Sequence, residues 1–322
     1  MEWSMPDNEM QDPKKDTSWL HSDAYDRPRV IKNPLPRTSI LKFGTFRDTI
    51  LNASKLLGQS LIGWFLSIFL TILIIAAVFR RDDLFFLIAN ELCKLAGFTV
   101  SVFLAVRIFD DRDIASLGLS VNRNALCDFL SGFTLTLVVW GFEFLQALAF
   151  GWIRVARITW DTSSPATIFW YTLLNFGIFL FTGWNEEMIS RGYHLQTISR
   201  GLNRPLAIIL SSAIFSYWHI NNPGMTPLEL TQIFLFGLLM CLAVLRTGQL
   251  WLAIGMHAGW DFFFAEIAGA NPTGGSGVFH LFDIRFVASP LSSILFEVSP
   301  LILLAIIVSV YTSNHKPEIH DW

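Results

Sequence analysis

Charge is scarce in this chain. Only 15% of its 322 residues are Asp, Glu, Lys or Arg, against 52% hydrophobic; a soluble domain carries about 25% charged residues. That shortage excludes a soluble globule built around one core and describes a chain whose solvent is largely lipid. The formal net charge is −3 and no basic stripe is present, so nucleic acid is not expected as a partner. Cysteine is scarce too. Cys93, Cys127 and Cys241 fall in or beside apolar segments without a C-x-x-C spacing, which predicts buried free thiols and no disulfide framework. A cleavable signal peptide is not expected, because the first apolar run begins near residue 57, behind a polar tail. No internal repeat is visible.

Long apolar runs and aromatics are what the chain has in quantity, with Phe 29 and Trp 12, as expected where rings sit at lipid interfaces. Residues 1–38 are polar, contain Pro6, Pro13, Pro28, Pro34 and Pro36, and read as a disordered cytoplasmic tail. Over 39–57, Ile40, Phe43, Phe46, Ile50 and Leu51 recur at near-helical spacing among Lys42, Arg47 and Lys55. This reads either as an interfacial amphipathic helix or as an extension of the first span. Apolar segments follow at 61–79, 84–109, 125–152, 166–184, 205–219, 230–245, 250–264 and 291–311, most of them long enough to cross a bilayer. The fold class expected is all-α, a polytopic transmembrane helix bundle of about eight spans over 58–312, with a short cytoplasmic tail at 313–322. The Gly-rich stretch 269–277 reads as a connector or a lid. With the N-terminus inside, Lys and Arg fall 17 against 5 in favour of the cytoplasm, with Lys94 inside a span. This predicts a multi-pass protein of the plasma (inner) membrane with both termini cytoplasmic.

A charge at the bilayer centre costs about 2.5–3.5 kcal/mol even on insertion scales, so the polar residues beside these spans are informative. Glu186 and Glu187 directly follow the fourth apolar run. On a helix they point about 100° apart, so one group cannot neutralise both. Arg191 lies one turn after Glu187 and can pair with it, which leaves Glu186 free to point into the bundle. The bland alternative is two solvated acids at a membrane boundary. His219 closes the fifth span, where a hydrogen-bonded packing role is the alternative to a catalytic one. His257 and Asp261 share a face of the seventh span at i, i+4. The carboxylate there can accept the second ring N–H and fix the tautomer, while Gly255, Ala258 and Gly259 let another helix come close. If the clusters converge, they supply a base for water and a group for an oxyanion. A Glu with two His is also a zinc ligand set.

These clusters, in this order, resemble the CAAX-protease and bacteriocin-processing family of intramembrane endopeptidases. Its E-E-x-x-x-R pattern matches Glu186, Glu187 and Arg191, followed by Gly192 and Tyr193. Its F-x-x-x-H matches Phe215 and His219, and its H-x-x-x-N/D matches His257 and Asp261. Asp113 to Leu119 looks like the short segment such proteins carry before the next span. The resemblance covers roughly 110–265. Ser190 departs from it, standing where the family is often aromatic. The resemblance implies a helical bundle around a water-filled cavity and a peptidase acting on a membrane-associated or prenylated, CAAX-type protein or peptide. It implies that Glu186 activates the water, that His219 and His257 bind it or stabilise the oxyanion, that Asp261 assists, and that Glu187 and Arg191 support. The cofactor is unknown, zinc or none. Membrane lipid is an expected partner. The competing readings are a non-catalytic binding or immunity protein and a proton-coupled transporter, against which the absence of paired repeats and broken helices speaks.

Overall fold

A computed structural model of the chain describes residues 44–77, 83–158, 163–222, 225–267, 281–287 and 289–313. The N-terminal tail, the Gly-rich stretch 269–277 and residues 314–322 lie outside the described residues. The fold is an all-α membrane bundle. Helix α1 (Phe46–Ala77) runs unbroken from Phe46, within the segment read as interfacial, through most of the first apolar run. It packs antiparallel to α2 (Asp83–Ile108), the contact closed by small residues such as Gly97, whose missing Cβ leaves room for the Ser67 backbone.

A single 3-10 turn at Ile114–Leu117 leads into α3 (Arg123–Ala149). Gly118, at φ 89°, ends that turn in the left-handed region that glycine tolerates. Asn122 caps α3 by accepting from Ala125 N–H. Then follow α4 (Pro165–Glu187), a π-helical segment (Met188–His194), α5 (Leu195–Gly201), α6 (Arg204–Trp218), α7 (Pro227–Thr247), α8 (Trp251–Phe262), a second π-helical segment (Phe263–Ile267) and α9 (Pro290–Tyr311). Proline at the first turn and a Ser, Thr or Asn cap open four of these helices, with a full capping box at Thr226 and Glu229.

Five described helical stretches have the length and apolarity to cross a membrane: Phe46–Ala76, Arg123–Ala149, Pro165–Gly201, Pro227–Thr247 and Ile294–Tyr311. Among the other segments read as spans, α6 has 15 residues and α8 has 12. Helix α8 is the most enclosed, with every residue from Leu252 to Asp261 buried. It lies between α3 and α4. The glycines explain how: a Cβ on Gly255 would collide with the Phe129 carbonyl, and one on Gly259 would sit 2.9 Å from the Phe133 carbonyl, both on α3. On the other side, a Cβ on Gly183 of α4 would sit 3.0 Å from Ala258 N. The aromatic core gathers round Trp140 of α3, whose ring centroid lies 4.6 Å from Trp260, 4.3 Å from Phe264 and 5.6 Å from Phe296.

The acids carried by the third apolar run are met by hydroxyls of α9: Ser299 donates to Glu143 at 3.0 Å and Tyr311 to Asp128 at 3.4 Å. These two buried acids are thus answered from a neighbouring helix, as hydrocarbon surroundings demand. Cys93 and Cys241 are buried free thiols as expected, whereas Cys127 is on the outer surface.

One element escaped the sequence reading. Ile153–Ile158 (β1) pairs antiparallel with Phe282–Phe286 (β2), joining the chain after α3 to the chain before α9. The ladder shifts register between Val155 and Arg157, and Arg157 pairs with Asp283 at 2.8 Å. Arg154 and Arg285, both counted on the non-cytoplasmic side, are register partners here.

Candidate active site

The end of α4 and the π-helical segment after it set the first cluster. Glu187 is fully buried, and its Oε1 accepts from Arg191 Nη1 at 2.8 Å. The i, i+4 spacing of the sequence therefore becomes a contact. Arg191 is also fully enclosed: Nη2 donates to the Gly237 carbonyl at 3.1 Å, and the guanidinium lies 4.4 Å from the centroid of Phe215. A planar cation stacked on a ring and forked between a carboxylate and a carbonyl uses what arginine offers and lysine does not. The wider turn of a π-helix is often found at functional sites, and here it carries Ser190, Arg191 and Tyr193 into the interior, all at most 1% exposed.

Glu186 faces elsewhere, as a neighbour on a helix must. Its Oε2 lies 3.7 Å from His219 Nε2 and 3.7 Å from His257 Nε2. These separations are too long for direct hydrogen bonds, and Oε2 is a buried atom with no hydrogen-bond partner among the described residues. His219 caps the C-terminus of α6, where its Nδ1 donates to the Phe215 carbonyl at 2.8 Å. His257, in the middle of α8, holds Glu187 Oε1 with its Nδ1 at 2.7 Å. Both rings thus have Nδ1 tied behind them and present Nε2 to Glu186. Phe215 and Phe236 wall the pair, their ring centroids 5.9 Å and 5.2 Å from that of His257.

One sequence expectation is corrected. Asp261 was expected to orient His257 from behind. Instead its Oδ2 lies 3.5 Å from Nε2, the same nitrogen that faces Glu186, and Glu187 orients Nδ1. The i, i+4 spacing fixed the face of the helix but not which edge of the ring the carboxylate meets. Asp261 Oδ2 also has no hydrogen-bond partner among the described residues. Glu187 therefore has two tasks, pairing with Arg191 and orienting His257. Phe236 and Gly237 were not anticipated; an aromatic and a glycine inside an apolar helix carry no signal of their own.

Glu186, His219, His257 and Asp261 have the donor chemistry of zinc ligands, and tied Nδ1 atoms are common in ligating histidines. As arranged, however, no group of three or more His, Cys, Asp or Glu among the described residues stands ready to hold a metal ion. The separations of 3.5–3.7 Å between these donor atoms are nonetheless close to those of ligands around one tetrahedral ion, so the residues fit either zinc or a water alone.

Fold and centre together define an integral membrane protein with carboxylates and imidazoles converging from three helices. Residues 168–263, which include all three clusters, match the family model described as type II CAAX prenyl endopeptidase, Rce1-like. The match agrees with the resemblance drawn from the three patterns, and it supports, in broad terms, activity as a CAAX-type intramembrane protease. No curated protein and no solved structure matches the chain.

Proposed function

We propose that the protein is an intramembrane endopeptidase that hydrolyses a peptide bond of a membrane-associated or prenylated protein or peptide, using water activated by Glu186. The observation that carries this reading is the unpartnered Glu186 Oε2 with two Nε2 atoms at 3.7 Å each. Groups that far apart are spaced to share one small molecule, each by a hydrogen bond of about 2.8 Å. The water gives a proton to Glu186 as its oxygen attacks the scissile carbonyl. Glu186 then passes that proton to the departing amine nitrogen, which closes the balance of one water consumed and one peptide bond broken.

Because Nδ1–H of each ring is committed behind it, Nε2 of a neutral ring accepts from the water. A ring holding a second proton presents Nε2–H to the oxyanion. Asp261, on the same side as Glu186, positions the water or the incoming amide. Glu187 and Arg191 hold His257 in place and are positioning residues.

The test is cleavage by the purified full chain in proteoliposomes. Glu186→Gln is expected to lose at least about 100-fold, the scale of a missing general base, while its thermal unfolding stays close to wild type. A Glu186→Gln protein that cleaves normally ends the proposal. Both termini are proposed to be cytoplasmic and the membrane to be the plasma membrane, on the strength of the Lys and Arg distribution.

A further inference from the structure

A second charged centre, unused by the chemistry above, lies where α2 ends. Asp110 has a fully buried side chain that meets three cations. Lys55 of α1 reaches Oδ1 at 2.6 Å, and Oδ2 is shared by Arg200 of α5 at 3.0 Å and Arg112 at 3.4 Å. One carboxylate against three cations leaves an excess of two positive charges. Among the described residues, neighbouring Asp111 and Asp113 form no ion pair with them.

Two observations show that Asp110 does not satisfy the cluster. Arg112 is only 7% exposed, yet its Nε has no hydrogen-bond partner, although Nη1 donates to Gln196 Oε1 at 2.7 Å. Burial, together with repulsion from Arg200, pushes the Arg112 pKa down to about 10. The cluster also has an open rim, since the Lys55 and Arg200 side chains keep 17% and 19% of their exposure. All three cations belong to the set that the Lys and Arg count assigns to the cytoplasmic side, where the leaflet is rich in anionic headgroups.

We propose that this centre binds the phosphate of an anionic lipid headgroup, with Lys55 and Arg200 at the rim making the contact and Arg112 behind them supplying charge. Phosphate offers several strong acceptor oxygens and negative charge to a site short of both, and arginine forks suit it. The lipid would pin α1, the end of α2 and α5 together. The segment 188–201 carries Arg191 near one end and Arg200 near the other, so the headgroup is placed to steady the chain that leaves the candidate active site. This inference does not depend on the protease reading.

The test uses the purified full chain in neutral detergent micelles doped with phosphatidylglycerol or phosphatidylcholine, or supplied with inorganic phosphate alone. Phosphatidylglycerol is expected to raise Tm by about 3 °C or more over phosphatidylcholine, and native mass spectrometry should show a retained phosphatidylglycerol. K55Q and R200Q should each lose most of the rise and the retained lipid. R107Q, at an exposed arginine of the same region that makes no contact with the cluster, should keep both. Keeping Arg112 and Asp110 intact in K55Q guards against mere misfolding. Equal rises with both lipids, or an undiminished rise in K55Q and R200Q, would overturn the proposal. A full rise with inorganic phosphate alone would overturn the lipid as occupant.

Discussion

Arg191 and Glu187 form a fully buried ion pair whose value lies in what its loss would expose. Removing one partner strands a charge in a low-dielectric interior, which typically costs about 3–5 kcal/mol. Arg191→Met is therefore expected to unfold the protein at much lower temperature, and Glu187→Gln combined with it should recover part of the loss. Thermal unfolding in detergent reads both; a single variant as stable as the double would contradict the pairing. Asp110 gives a second prediction at this scale. Burial opposes its charge, but Arg200, Lys55 and Arg112 outweigh that and hold its carboxyl below the usual carboxylate range. A carboxyl with a depressed folded-state pKa stabilises fully above its unfolded value of about 3.9 and loses that contribution as pH falls through the folded value. Stability should be insensitive to this group between pH 5 and pH 8 (roughly, by the same linkage). It should fall more steeply below about pH 4 in wild type than in Asp110→Asn. The metal question is also a residue-scale one: the proposed reaction uses Glu186 as the base and needs no metal, so activity should survive a strong chelator. Loss restored only by zinc would make Glu186, His219 and His257 ligands.

Helix α8 is the element on which the centre depends, and its glycines are the parts least tolerant of change. A Cβ on Gly255 meets the backbone of α3 at Phe129, which cannot rotate away. Gly255→Ala should therefore push α8 from α3, at a cost of about 1–3 kcal/mol. It should also displace His257 from Glu187, lowering kcat by about 10- to 100-fold; unfolding and kinetics measured together check this. Much at this scale was legible in the sequence. The apolar runs located the helices, and the i, i+4 spacing of Glu187 with Arg191 and of His257 with Asp261 placed each pair on one face. The small residues Gly255, Ala258 and Gly259 announced close packing, though not that α3 and α4 would close on α8 from both sides. The π-helical turn was not legible, because a widened turn leaves no compositional trace. Nor was the antiparallel β1–β2 pair, whose strands lie more than a hundred residues apart in a chain dominated by apolar runs. The second task of Glu187, orienting His257 in place of Asp261, was missed for the same reason: spacing along one helix does not report what a second helix brings to the other edge of an imidazole.

At the scale of the whole molecule, two charged ends can be recognised. Lys55, Arg112 and Arg200 meet at Asp110, while Arg154, Arg157 and Arg285 meet in the small sheet. Reporter fusions after residue 50 and at the C-terminus should both report the cytoplasm; an external reading at either would reverse the orientation and the leaflet assigned to the Asp110 centre. The central claim is that Glu186 activates a water to break a peptide bond inside the bundle. It is tested most directly by reconstituting the full chain with prenylated and unprenylated membrane peptides in water enriched in oxygen-18. The account predicts a new C-terminal carboxylate carrying one oxygen-18 atom, formed by wild type and not by a folded Glu186→Gln protein. A folded wild-type chain that cleaves none of these peptides, or a Glu186→Gln chain that cleaves them as fast, would contradict it.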